Sequence, residues 1–193
     1  MSKTFNNKYT NPKSEGYLMK KDLEGLVQVY TGNGKGKTTA AIGLGIRATG
    51  HGYKVCMIQF LKPSTSYGEH KSIKKIKNFK VKSYGLKEFA TPNNNEEYKK
   101  LSSEAFDYAT KTVMSKKYDL IILDEINFAT ACNYVKLEDV IRLIEQKPKS
   151  VELVLTGRDA PKEIIEKADL VTIMQETKHP YRKGIPARKG IEY

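Results

Sequence analysis

The chain has 193 residues, a length that suits one domain, and its 39% hydrophobic residues allow a buried core and exclude disorder throughout. Lysine and arginine total 34 against 22 acidic residues, so the net charge of +12 favours anionic partners such as nucleotides, nucleic acids or acidic substrates. Only five of these cations are arginine, the residue best suited to clamping phosphates and base edges. Most of the charge is therefore interpreted as a lysine-rich surface.

Apolar runs and cysteines bear on the cellular compartment. The best apolar runs, 55–58 and 120–123, fall far short of the roughly 20 residues of a membrane helix. Residues 1–16 have no apolar stretch of the kind that a secretory signal needs. Cys56 and Cys132 form no CxxC pair, which disfavours a disulfide scaffold or a zinc site. These features predict a cytoplasmic protein.

In chain order, residues 1–24 are polar with little periodicity and are interpreted as a flexible N-terminal arm. From residue 25 onward, β-favouring apolar runs alternate with segments of helical periodicity, and a basic tail follows Glu176. Strands are predicted at 26–30, 54–60, 79–83, 120–123, 151–155 and 170–174, and helices at 38–49, 96–116, 137–144 and 161–167. This alternation predicts one three-layer α/β domain over residues 25–193, with a mostly parallel central sheet.

A glycine-rich segment joins the first predicted strand to the first helix. It reads Thr31-Gly32-Asn33-Gly34-Lys35-Gly36-Lys37-Thr38-Thr39. Glycines let backbone N–H groups face phosphate oxygens, the lysine reaches the phosphates, and the Thr38 hydroxyl can ligate Mg²⁺. Compared with G-x-x-x-x-G-K-[ST], the first glycine is absent or the loop is one residue shorter. The segment predicts a phosphate-binding loop in a P-loop NTPase-like (RecA-like) domain.

Two further strand ends carry charged residues. Four apolar residues precede Asp124 and Glu125, and in P-loop proteins an acidic residue at such a strand end faces the metal beside the loop. Arg158 follows the strand at 151–155, and ligands of open α/β sheets bind outside the carboxyl ends of the strands. Arg158 is therefore a candidate phosphate contact, although an ordinary surface arginine fits the pattern equally well.

Several motifs of this chain together resemble the ATP:corrinoid adenosyltransferases of the cob(I)alamin type. The similarity covers residues 26–193, the motifs follow the family's order, and the shortened phosphate loop is itself the family's form. The segments that carry it are TGNGKGKTTAAIGLGIRATGHGYKV at 31–55, QF…GE at 59–69, LDEI at 123–126, LTGR at 155–158 and KH…KGIEY at 178–193.

The resemblance implies an enzyme that transfers the 5′-deoxyadenosyl group of ATP to Co(I) of a reduced corrinoid, cobalamin or cobyrinic acid a,c-diamide, with triphosphate leaving. No general base is apparent in the sequence, and Co(I) needs none because it is a nucleophile without a proton. The resemblance also implies a homodimer, an N-terminal arm that covers the site and a flavoprotein as a possible reductant.

Site residues follow from the resemblance by position. Lys37 and Glu125 are the implied catalytic residues. Mg²⁺ is implied at Thr38 and Glu125 with Asp124 nearby, and Arg47 and Arg158 are implied further contacts. The triphosphate cradle comprises Gly32, Asn33, Gly34, Lys35, Gly36, Lys37, Thr38 and Thr39.

One segment departs from the family, which places a Phe and a Trp against the lower face of the corrin. This chain has no tryptophan, and the corresponding stretch reads Gly85-Leu86-Lys87-Glu88-Phe89. Leu86 and Phe89 are the nearest apolar candidates for that role.

Two other function classes remain open from the residues alone. An ATP-dependent RecA-like nucleic-acid-binding protein would use the net positive charge to hold RNA or single strands. The scarcity of arginine and the lack of an aromatic RNA-binding motif disfavour it. A small-molecule P-loop kinase would need a lid segment with clustered arginines, which the sequence does not offer.

Overall fold

The computed structural model describes residues 24–63, 67–88 and 91–193 of the chain. Six strands of these residues form one sheet, and helices connect them. The strands are β1 Val27–Thr31, β2 Val55–Phe60, β3 Phe79–Tyr84, β4 Leu120–Asp124, β5 Glu152–Thr156 and β6 Leu170–Ile173. The helices are α1 Lys37–Gly50, α2 Gly68–Ile73, α3 Asn95–Met114, α4 Ile126–Ala131, α5 Leu137–Gln146 and α6 Lys162–Lys167.

The sheet has the order β3-β2-β4-β5-β1-β6, and every pair of neighbours runs parallel. In β2 and β4, Val55 pairs with Leu120 and Gln59 with Asp124. Because all strands point the same way, their carboxyl ends meet at one edge of the sheet. The loops after β1, β2, β4 and β5 therefore lie side by side.

Buried side chains alternate between the two faces of the sheet, as the pleat requires. In β4, Leu120 and Ile122 join the core beneath α1 and α2, which contribute Ala41 and Ile73. Ile121 and Leu123 face the opposite core, to which the other helices contribute Ala105, Ala109, Val113, Ile126, Ala129, Val140, Leu143, Ile144 and Ile164. The result is helix, sheet and helix in three layers.

The predicted α/β class with a parallel central sheet is confirmed, and element boundaries differ from the predicted ones by at most two residues. Two short helices, α2 and α4, were not predicted. The predicted N-terminal arm lies outside the described residues except for Glu24. No helix in the described part of the chain is long and apolar enough to cross a membrane.

Candidate active site

The glycine-rich loop between β1 and α1 has the conformation that its glycines permit. Gly36, the residue before α1, has φ 122°, a backbone angle that side chains with a Cβ rarely adopt. Gly34 approaches the segment after β6 closely, and its N–H donates to Met174 O at 2.7 Å. A Cβ on Gly34 would lie 2.7 Å from that same oxygen. The loop is thus held in shape by the end of the last strand.

Lys37 lies over this loop. Its Nζ donates hydrogen bonds to the carbonyl oxygens of Gly32 at 2.7 Å and Gly34 at 2.8 Å. Burial lowers the pKa of Lys37, and Arg158 acts in the same direction, while nearby carboxylates oppose the shift. The buried ammonium has only neutral carbonyl groups as hydrogen-bond acceptors in these two bonds, so a phosphate oxygen is a stronger acceptor for it.

The Asp124 carboxylate, at the end of β4, is fully buried and accepts four hydrogen bonds. Its Oδ1 accepts from Thr38 Oγ1 at 2.8 Å and from Thr156 Oγ1 at 2.7 Å. Oδ2 accepts from Gln59 Nε2 at 3.1 Å and from Lys62 Nζ at 2.6 Å. Burial alone would raise the pKa of Asp124, but the Lys62 ammonium and the hydrogen bonds outweigh it and lower the pKa.

Glu125 directly follows Asp124 and has a left-handed backbone with φ 66°. Its N–H donates to Thr156 Oγ1 at 3.1 Å, and its side chain lines the cavity beside the loop. Burial and the Asp124 carboxylate raise the pKa of Glu125, so the two adjacent carboxyl groups are shifted in opposite directions.

The oxygen atoms around Thr38 fit a magnesium ion. A hydroxyl from Thr38 and carboxylates from Asp124 and Glu125 are the hard donors that Mg²⁺ prefers. Across residues 24–63, 67–88 and 91–193 no three His, Cys, Asp or Glu side chains gather as a metal site. Because Mg²⁺ usually keeps waters and takes oxygens from substrate phosphates, two carboxylates and a hydroxyl suffice.

A second layer of buried polar groups supports Asp124 from the side of β3. Gln59, which donates to Asp124, accepts a hydrogen bond from Ser83 Oγ at 2.8 Å through Oε1. His70 Nε2 lies 2.5 Å from the same Oε1. The amide of Gln59 is therefore held in one orientation, which directs its NH₂ group to the carboxylate.

A cavity of 620 Å³ opens above the loop and the two carboxyl groups. Its far wall is the C-terminal tail, where Lys35 Nζ lies 3.0 Å from Glu192 Oε1 and 3.2 Å from Ile191 O. The residues that line it are Asn33, Gly34, Lys35, Gly36, Lys37, Thr38, Thr39, Ile42, Lys62, Tyr67, Gly68, Glu69, Ser72, Glu125, Arg158, His179, Gly190, Ile191, Glu192 and Tyr193.

Most of the site residues predicted from the sequence meet at this cavity. Asp124 lies beneath it, bonded to Thr38, and Gly32 takes part through its carbonyl oxygen. Arg47 does not meet them: it is exposed in the last turn of α1, ten residues and about 15 Å along the helix from Lys37. Leu86 is half-buried just after β3 and does not line the cavity, and Phe89 lies outside the described residues.

The sequence did not predict the part played by Lys62, Thr156, Gln59 and the C-terminal tail. Lys62 lies two residues after β2, and Thr156 ends β5. These are the two strands that flank β4 in the sheet, so both residues reach Asp124 from neighbouring strand ends. Polar residues at the carboxyl ends of parallel strands converge, so their positions in the sequence were a usable signal. Which of them reach Asp124 could be predicted only with the order of the strands in the sheet.

Comparison with known proteins agrees with this geometry. Residues 23–193 match the family model described as ATP:corrinoid adenosyltransferase BtuR/CobO/CobP. A corrinoid adenosyltransferase of Sinorhizobium sp is 37% identical over 90% of this chain and 83% of its own length. The corrinoid adenosyltransferase of Pseudomonas aeruginosa is 35% identical over 90% of this chain and 86% of its own length. That of Escherichia coli K12 is 34% identical over 89% of this chain and 87% of its own length. The chain belongs to the ATP:corrinoid adenosyltransferase family.

Proposed function

We propose that this protein transfers the 5′-deoxyadenosyl group of ATP to the Co(I) of a reduced corrinoid and releases triphosphate. The observation that carries the proposal is a cavity lined by Lys37, Thr38 and Glu125 with Asp124, the last residue of β4, bonded to Thr38 beneath it, in a chain of this family. Membership of the family favours this activity over a nucleic-acid-binding ATPase or a small-molecule kinase.

The phosphate loop would bind the leaving group. Backbone N–H groups of the loop other than that of Gly34, which donates to Met174 O, and those of the first turn of α1 would offer donors to the triphosphate. Lys35 and Lys37 would add positive charge. Negative charge grows on the triphosphate as its bond to C5′ breaks. Groups fixed in advance around that charge lower the barrier without reorganising during the reaction.

Thr38 and Glu125, with Asp124 beneath them, would hold Mg²⁺, which neutralises charge on the phosphate oxygens. The protein's own part is to keep these oxygens in place. Thr156 and Gln59 fix the Asp124 carboxylate by hydrogen bonds, and the Asp124 carboxylate in turn accepts the Thr38 hydroxyl hydrogen. Arg158, which also lines the cavity, is a further candidate for a phosphate contact.

The corrinoid is the second substrate, and its cobalt supplies the electron pair for the new Co–C bond. The bond between C5′ and the triphosphate oxygen breaks at the same carbon, and no proton needs to be moved. The protein must therefore align C5′ with the cobalt and exclude water, and no base is required of it. Cobalamin or cobyrinic acid a,c-diamide would approach on the side of Leu86, which belongs to the segment that corresponds to the family's aromatic pair.

The proposal includes the cytoplasmic location that composition and cysteines predict. It also includes three properties that the resemblance implies: a homodimer, an N-terminal arm over residues 1–24 that covers the site, and a flavoprotein that supplies the electron for Co(II). Exposed apolar side chains on α1 and β6 support a partner surface, with Ile46 48% and Ile173 68% exposed.

The test is anaerobic incubation with ATP, Mg²⁺ and chemically reduced cobalamin. A light-sensitive Co–C product should form together with one equivalent of triphosphate, which ³¹P spectroscopy distinguishes from phosphate and diphosphate. Lys37→Ala serves as the inactive control. Release of phosphate without an adenosylated corrinoid would contradict the proposal and favour an NTPase or kinase.

A further inference from the structure

Lys62 makes contacts that the proposed reaction has not yet used. Its Nζ donates to Asp124 Oδ2 at 2.6 Å and to Thr38 Oγ1 at 3.1 Å, and only 15% of its side chain is exposed. A cation thus lies between one oxygen of the loop threonine and one oxygen of the β4 carboxylate. In P-loop proteins these two groups are the ones that hold Mg²⁺.

We propose that the Lys62 ammonium occupies the metal position of this site and is exchanged for Mg²⁺ when the metal arrives together with the triphosphate. The inference rests on the magnesium site of the proposed function. It adds a positioning residue that holds the ligands Thr38 and Asp124 ready while no metal is bound.

The charges around Lys62 explain why a cation is needed there. Asp124 is fully buried, and a buried carboxylate without a counter-ion is strongly unfavourable. The Lys62 ammonium, 2.6 Å from Asp124 Oδ2, is that counter-ion. Its flexible side chain allows it to move away from the carboxylate.

The cavity offers the displaced ammonium a place to go. Lys62 lines it together with Lys35, Lys37 and Arg158, so the triphosphate would lie within reach of the moved side chain. Mg²⁺ on its own would have to displace the Lys62 ammonium from its ion pair with Asp124. The displaced ammonium would then have no new anionic partner to compensate for the one that it lost. With a triphosphate present, the ammonium exchanges one anionic partner for another, and the site accepts the metal.

Metal binding without nucleotide tests this exchange. Equilibrium dialysis with Mn²⁺, as a substitute for Mg²⁺, would compare the wild type with Lys62→Met, which keeps the chain length and removes the charge. Lys162→Met is the matched control, because Lys162 forms only an exposed pair with Glu166. Thermal unfolding in EDTA and in Mg²⁺ supplies a second readout that needs neither ATP nor corrinoid.

Lys62→Met should bind Mn²⁺ at least about tenfold more tightly than the wild type and the control. It should also be less stable than the wild type in EDTA and regain stability in Mg²⁺, whereas the wild type should respond to Mg²⁺ only with inorganic tripolyphosphate. Equal Mn²⁺ affinities, or a variant that fails to fold both with and without Mg²⁺, would overturn the exchange. In that case the wild type's response to Mg²⁺ with tripolyphosphate would still support the magnesium site, and its absence would overturn both.

Discussion

The Lys35 ammonium of the phosphate loop lies 3.0 Å from the carboxylate of Glu192, the penultimate residue of the sequence. Glu192 also accepts hydrogen bonds from the Arg188 side chain at 3.0 Å and 3.2 Å and from the Arg188 N–H at 2.8 Å. These bonds to Arg188, followed by that from Lys35, lower the pKa of Glu192 to about 2. A carboxylate that is charged at every physiological pH would thus compete with the phosphates of the proposed substrate for Lys35.

Glu192→Gln should therefore bind ATP more tightly than the wild type, because Lys35 loses an anionic partner. Exposed ion pairs are weak because water screens them, so the expected gain is only about two- to fivefold at low salt. It should shrink as salt is added. Calorimetric titration with ATP checks it, with Glu166→Gln in the exposed pair with Lys162 as the matched control. Weaker binding of ATP by Glu192→Gln would contradict this competition. It would mean that the contact between Lys35 and Glu192 supports ATP binding by holding the C-terminal tail at the cavity.

Lys37→Ala and Thr38→Ala should each lose most of the adenosylation activity. Each removes a contact to the triphosphate or to its metal, which typically costs ~2–4 kcal/mol in the transition state, roughly 30- to 1,000-fold in rate. The rate of formation of the Co–C product measures the loss. Thermal unfolding separates it from a folding defect, and Lys162→Ala is the control on the surface. Rates within threefold of the wild type for both variants would refute the ATP site.

Glu125→Gln should raise the Mg²⁺ concentration needed for half-maximal activity by about tenfold while the fold is kept. An amide is a poorer ligand than a carboxylate for a hard cation, and the side chain lines the cavity, where no core packing is lost. The measurement is activity against Mg²⁺ concentration, with the exposed Glu138→Gln of α5 as control. An unchanged Mg²⁺ curve would move the metal contact to Asp124.

The raised pKa of Glu125 also predicts a pH dependence. Its carboxyl group takes up a proton, as pH falls, at a pH above the ordinary glutamate pKa of 4.5. The Mg²⁺ requirement of the wild type should therefore increase towards acidic pH, starting above pH 4.5. Glu125→Gln has no such proton to gain and should keep a constant, higher requirement. Parallel curves for the two proteins between neutral and acidic pH would disprove this assignment.

Two glycines of α1 form a matched pair for stability. A Cβ on Gly45 would lie 2.6 Å from Phe79 Cε1, whereas a Cβ on Gly43 would meet nothing within 4 Å. Gly45→Ala should lower the free energy of unfolding by ~1–3 kcal/mol through overpacking. Gly43→Ala should raise it by ~0.5–1 kcal/mol, because alanine is the better helix former. Urea denaturation measures both, and equal shifts would contradict the close contact of α1 with β3.

Leu86 offers a test of the segment that departs from the family. Gly85 packs against the backbone of Leu61 and Lys62 without room for a Cβ, so this loop lies against the residue whose ammonium contacts Asp124. If Leu86 only partly replaces an aromatic ring, Leu86→Phe should increase the fraction of four-coordinate Co(II) seen by electron paramagnetic resonance with ATP bound. A wild-type spectrum that is already wholly four-coordinate would reject incomplete shielding.

Local patterns sufficed to predict the strands, the longer helices, the phosphate loop and the carboxylate pair, since each is a contiguous stretch with its own signature. Lys62 and Thr156 escaped prediction because their role depends on β2 and β5 being the neighbours of β4, which is a property of the whole sheet. Arg47 was assigned by its position in a motif, and its place in the last turn of α1 puts it far along the helix from the loop.

The strand order has a consequence for how the enzyme is made. β1 precedes the other five strands, yet its partners in the sheet are β5 and β6, the last two of the described chain. During translation, Gln28 of β1 can pair with Val154 and Leu170 only after those residues have been synthesised. By contrast, β2 can pair with β3 and β4 much earlier. The phosphate loop, whose Gly34 N–H donates to Met174 O, thus acquires its final support only after the residues of β6 have been synthesised.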